Sequence, residues 1–141
     1  MAVELNILTF ALLDKKDRNA KGDLRMINFA KSSLYHWRKS DKYDIANEHR
    51  GQWLLSYVYS KLNKSNEALH HAKRTLKITE ENTTQLKDYD LAYAYESMAR
   101  AYSVSGNKDK AEQWHNKAKE AGDLIESECD KEYFIFDLDS K

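Results

Sequence analysis

Arg50, Trp53 and Tyr57 are spaced i, i+3, i+7, and Tyr93, Glu96 and Arg100 repeat that spacing 43 residues later. Residues so spaced share one face of a helix. Laid side by side, the two sets make a groove with aromatic platforms, two arginines and one glutamate. Guanidinium forks and aromatic faces are the usual means of holding a peptide or a carboxylate ligand. In this reading Arg50 and Arg100 bind carboxylate or carbonyl groups. Trp53, Tyr57 and Tyr93 supply apolar contact, and Glu96 orients an arginine or accepts a donor from the ligand. The same side chains also have a structural reading. Glu96 and Arg100 form an i,i+4 pair that bridges on a helix surface for roughly a few tenths of a kcal/mol. Trp53 and Tyr93 then belong to the core, and Arg50 pairs with Glu96 across helices.

Other chemistries find less support. The five histidines are His36, His49, His70, His71 and His115. No two have the i,i+4 spacing of a helix-borne zinc site, and there is no H-E-x-x-H. His70 and His71 are adjacent, so they point about 100° apart. No metal and no cofactor is expected. There is no G-x-S-x-G and no phosphate-binding glycine loop. Cys129, the single cysteine, lies among Glu126, Glu128 and Asp130, whose negative charge disfavours a thiolate. The expectation is therefore a protein that is not an enzyme. The alternative is a small-molecule-binding or catalytic protein in which His36, His71, Glu96 and Arg100 meet in a closed polar pocket.

Helices must position these residues. The chain has no proline and four glycines, so few positions break a helix. Apolar periodicity and polar breaks predict helices over about 3–14, 23–39, 43–62, 66–81, 86–105 and 108–124, with a polar break at 15–23. Ser65 and Asn107 are expected N-caps. The tail Tyr133-Phe-Ile-Phe-Asp-Leu138 is assigned to a short capping helix, because a lone strand would have nothing to pair with.

The helices repeat. Gln52-x2-Leu55-Ser56-x2-Tyr59 recurs as Tyr95-x2-Met98-Ala99-x2-Tyr102, Asn63 aligns with Gly106, and Ala68 aligns with Ala111, all at an offset of 43. A fainter copy upstream aligns Ile27, Ala30 and Leu34 with Leu69, Ala72 and Leu76. This resembles the tetratricopeptide repeat, W-x2-L-G-x2-Y followed by A-x3-F. Gln52 and Tyr95 stand where that family has tryptophan, Ser56 and Ala99 replace its glycine, and the period exceeds the family's ~34 residues. The whole chain is also similar to small bacterial proteins of that kind through residues 33–38, 50–56, 68–72 and 90–96. The resemblance implies hairpins at about 3–39, 43–81 and 86–124, wound as a right-handed superhelix with first helices on the concave face. It further implies a capping segment at 125–138 closing a single domain over residues 1–141. Small residues at 68 and 111 let paired helices approach, and Asn63 and Gly106 fit left-handed turns.

Lysine plus arginine and aspartate plus glutamate both number 23, for a formal charge of zero. Such a chain has no global pull on nucleic acid or an anionic membrane. The apolar stretch 3–13 lacks the length of a membrane span and the basic start of a signal peptide, so a cytoplasmic address is expected. The expected function is a non-enzymatic module that binds a protein or peptide partner in its concave groove. A third reading is a self-associating structural protein whose end face pairs with a second copy.

Overall fold

The structure is a computed structural model describing residues 2–15 and 18–139. Among the described residues it holds seven α-helices and no strand: α1 (Ala2–Asp14), α2 (Ala20–Lys39), α3 (Ile45–Lys61), α4 (Ser65–Glu81), α5 (Asp88–Val104), α6 (Lys108–Asp123) and α7 (Glu128–Asp139). Consecutive helices pack on one another in an antiparallel all-α array. In addition α3 packs on α5, and α7 lies on both α5 and α6. No helix among the described residues is long and apolar enough to cross a membrane.

Local chemistry sets the helix ends. Asn19 caps α2, its side-chain oxygen accepting from Gly22 N–H at 2.9 Å, so α2 starts earlier than the predicted 23. The expected break therefore shortens, and Lys16 and Asp17 within it lie outside the described residues. Asp44 starts α3 with a reciprocal pair of bonds to Asn47 at 3.1 and 2.9 Å. Asn107 caps α6 as expected, accepting from Lys110 N–H. Ser65 does not cap α4. It is the first helical residue, and Lys64 holds the cap position without a side-chain bond.

The turn before α4 puts position 64 at the cap, and lysine has no side-chain acceptor to fill it. Asn63 has φ 57° and Gly106 has φ 83°. Lys64 N–H donates to Tyr59 O and Asn63 N–H to Ser60 O. Asn107 N–H donates to Tyr102 O and Gly106 N–H to Ser103 O. These are two copies of the Schellman turn, which satisfies helix-end carbonyls by passing one residue through the left-handed region. The 43-residue repeat thus holds at the level of individual backbone bonds.

The repeated stripe Leu55, Tyr59, Met98 and Tyr102 faces the core. The first three are buried and Tyr102 half-buried, against Met26, Leu34 and Val58. Ser56 donates its hydroxyl to Ala68 O at 2.8 Å, tying α3 to α4 where small side chains let them approach. A smaller cluster joins Ala92, Ala118 and Ile125 to Phe134 and Leu138 of α7. The tail is a helix that covers the last hairpin, and it runs longer than the six residues whose pattern suggested it.

Candidate functional site

With one stripe in the core, the other stripe of α3 and α5 is only partly open: Arg50 is exposed, Trp53, Tyr57 and Tyr93 are half-buried, and Glu96 and Arg100 are buried. Trp53 and Tyr57 of α3 meet Tyr93 of α5. The Trp53 ring lies 5.4 Å from Tyr57, tilted, and 5.8 Å from Tyr93, edge to face. Phe134 of α7 holds the other side of Tyr93 edge to face at 4.9 Å. Trp53, Tyr57 and Tyr93, with Tyr89, wall a recess of about 350 Å³ that Phe10 of α1 and Asp137 of α7 flank. That volume lies at the lower end of small-ligand sites, roughly 300–1,000 Å³, and suits one side chain or a small fragment.

Tyr93 donates its hydroxyl to Asp137 Oδ2 at 2.5 Å. Burial, then this bond, push the Tyr93 phenol far above its usual range, so it stays a donor. Burial likewise raises Tyr57. Arg50 is exposed at the edge, with Nη2 3.4 Å from the Tyr89 hydroxyl. It does not reach Glu96 as the structural reading supposed. Trp53 Nε1 donates to Glu96 Oε1 instead, at 3.2 Å.

Glu96 and Arg100 pair with each other, and both are buried, at 1 % and 8 % exposure. The Arg100 guanidinium lies 4.2 Å from the Tyr57 ring centre and 5.4 Å from that of Trp53. Among the described residues its Nε and Nη1 make no hydrogen bond, and the ring faces take their place as electron-rich partners. Arg100 is therefore no exposed clamp on a ligand. It acts from behind, fixing the two rings that face the recess.

His49 and Asp90 are buried and line the same recess. His49 Nε2 lies 3.1 Å from Asp90 O; a carbonyl only accepts, so Nε2 carries the proton. Nδ1 is 3.8 Å from Asp90 Oδ1. Burial lowers the His49 pKa against the opposing pull of the Asp90 charge. Nδ1, beside the Asp90 carboxylate, makes no hydrogen bond among the described residues. Asp90 in turn accepts from Lys87 N–H at 2.9 Å at the start of α5.

The four residues of the alternative pocket do not converge. His36 lines a depression with Ala2, Val3, Trp37 and Ser40. His71 stacks flat on Tyr59 at 5.5 Å, and its Nδ1 donates to Gln52 Oε1 at 2.7 Å. Glu96 and Arg100 line a cavity with His115 and Glu112 instead. Side-chain direction is the reason: each histidine turns to neighbours within its own part of the array. Among the described residues no cluster of three or more His, Cys, Asp or Glu is placed to hold a metal ion.

His71 ends a chain of bonds that sequence reading missed. Arg38 Nε and Nη2 grip both oxygens of Glu48 at 2.7 Å, and Tyr43 and Gln52 donate to the same carboxylate at 2.9 Å. Arg38 in particular holds Glu48 down to about 2. This network joins α2, α3 and α4 on the side of α3 away from the recess. Of the recess residues missed, Tyr89 had a signal, since it continues the Tyr93 stripe one turn back. Phe10 and Asp137 had none, because nothing local says where α1 and α7 dock. No family model, curated protein or solved structure matches the chain.

Proposed function

We propose that this chain is a non-enzymatic interaction module. It holds a peptide or protein segment against the α3–α5 face, with one side chain of that segment seated in the aromatic recess. The observation that carries this reading is the recess itself: rings from α1, α3 and α5 converge on a space the size of a side chain. Rigid aromatic anchors give large contact area at low entropic cost. Arg50 stands exposed at the edge, where its fork can take a backbone carbonyl or carboxylate of the segment in place of its long bond to Tyr89. Trp53, Tyr57 and Tyr93 make the apolar contact, while Glu96 and Arg100 hold Trp53 and Tyr57 in place.

The test uses peptides selected from a random display library on the immobilised protein. Arg50 and Trp53 are exchanged together for alanine, since the buried Arg100 cannot be removed without disturbing the helices. Selected peptides are expected to lose at least tenfold in affinity, with the circular dichroism unchanged. Peptides that bind the double variant normally would place the partner surface elsewhere.

A further inference from the structure

The neutral formal charge conceals a division between layers. The helices that border the recess, α1, α3, α5 and α7, carry eleven acidic side chains, five of them on α7, and only four basic ones: Arg50, Lys61, Arg100 and Lys131. Helices α2, α4 and α6 carry eight acidic and twelve basic side chains. Glu96 and Arg100 neutralise each other, and Glu48 is neutralised by Arg38 on the far side of α3, which leaves nine acidic against three basic side chains. The recess therefore opens in a negative layer of an otherwise neutral molecule.

The walls repeat this preference at short range. Trp53 donates its N–H to the Glu96 carboxylate and Tyr93 its O–H to Asp137. Donation to a carboxylate leaves both rings richer in electrons, and electron-rich faces attract cations. The protein itself supplies a precedent, for the Arg100 guanidinium rests on Tyr57 and Trp53. Asp137 and Asp90 put two carboxylates on the lining.

Resting on the interaction-module reading above, we infer that the groove takes a basic segment, with a lysine or arginine side chain of the partner in the recess. Its cation lies against the Trp53, Tyr57 and Tyr93 rings near Asp137. Arg50 takes a carbonyl of the same segment at the edge. The surrounding acidic helices steer the basic segment in, an effect that salt screens over about 10 Å at 0.1 M.

Four heptapeptides with the same Gly-Ser flanks and a central Lys, Arg, norleucine or Glu provide the probe. They are titrated at up to millimolar concentration, following the Trp53 indole N–H by NMR. The Lys and Arg peptides are expected to bind at least tenfold more tightly than norleucine. Asp137→Asn, which still accepts from Tyr93, should cut that advantage at least threefold, and so should half-molar salt. If norleucine binds as well as Lys, or Glu binds best, the cationic guest is refuted while the groove remains the binding face. If no peptide moves the Trp53 signal, the groove itself fails as a binding face and the inference falls with it.

Discussion

Glu96 owes its energetics to where Arg100 and two rings come from. The i,i+4 spacing is visible in the sequence and suggests a surface bridge worth roughly a few tenths of a kcal/mol. Burial changes the scale, and burial arises from Trp53 and Tyr57, which belong to another helix. Removing one member of a buried pair leaves a charge without its partner, at about 3–5 kcal/mol, whereas replacing both by apolar groups costs far less. Glu96→Gln should thus lower the unfolding free energy in urea by about 3 kcal/mol, and Glu96→Leu with Arg100→Met should cost less than either change alone. A loss near 0.5 kcal/mol for Glu96→Gln would mean the pair behaves as a surface bridge. His71 teaches the same lesson with pH. Burial, aided by His70, Arg74 and Lys31, lowers it to about 4 from an ordinary 6.5. Between these values the unfolded chain takes the proton and the folded one refuses it, so stability falls as pH drops from 6.5 to 4. His71→Asn keeps a donor toward Gln52 and cannot titrate. Its urea midpoint should fall less steeply over that window, leaving the part due to His49, whose pKa burial also lowers. Equal slopes in the two proteins would assign the whole effect elsewhere.

Helix ends and close approaches form the next scale, and they were legible to different degrees. Asn63 and Gly106 could be read as left-handed turns, because few other residues tolerate that backbone. The failure of Ser65 as a cap follows from the repeat, which aligns the cap Asn107 with Lys64, a residue without an acceptor. Gly122 gave no signal at all, yet it controls the docking of α7. A Cβ there would meet Phe134 Cδ2 and Cε2 at 2.6 Å. In a helix interior Gly→Ala gains about 1 kcal/mol in propensity, while overpacking costs about 1–3 kcal/mol. With Phe134 fully buried and unable to swing aside cheaply, the clash wins. Gly122→Ala is expected to destabilise by about 1 kcal/mol and to speed hydrogen exchange selectively in residues 128–139. Unchanged exchange there would mean that Phe134 has room to move.

Across the whole molecule, the array was written in the 43-residue offset, and a capping helix was expected from the apolar run at 133–138. What sequence could not reveal is that the cover also reaches into the recess. Phe134 and Leu138 bury themselves on α5 and α6, and the same helix brings Asp137 to Tyr93. Structure and candidate site are therefore coupled through α7. Ending the chain after Ser127 removes two large buried side chains, each worth about 1.5–3 kcal/mol, and uncovers Ala92, Ala118 and Ile125. The truncated protein should lose about 3–6 kcal/mol of stability by urea unfolding. Its uncovered face should make sedimentation velocity concentration-dependent under conditions where the full chain is not, since exposed apolar patches seek partners. A peptide captured by the full chain should also bind the truncated one more weakly, because Tyr93 loses both Phe134 and Asp137. Weaker binding in a truncated protein that kept its full stability would make α7 a part of the site alone, and unchanged binding with lost stability would make it a cover alone.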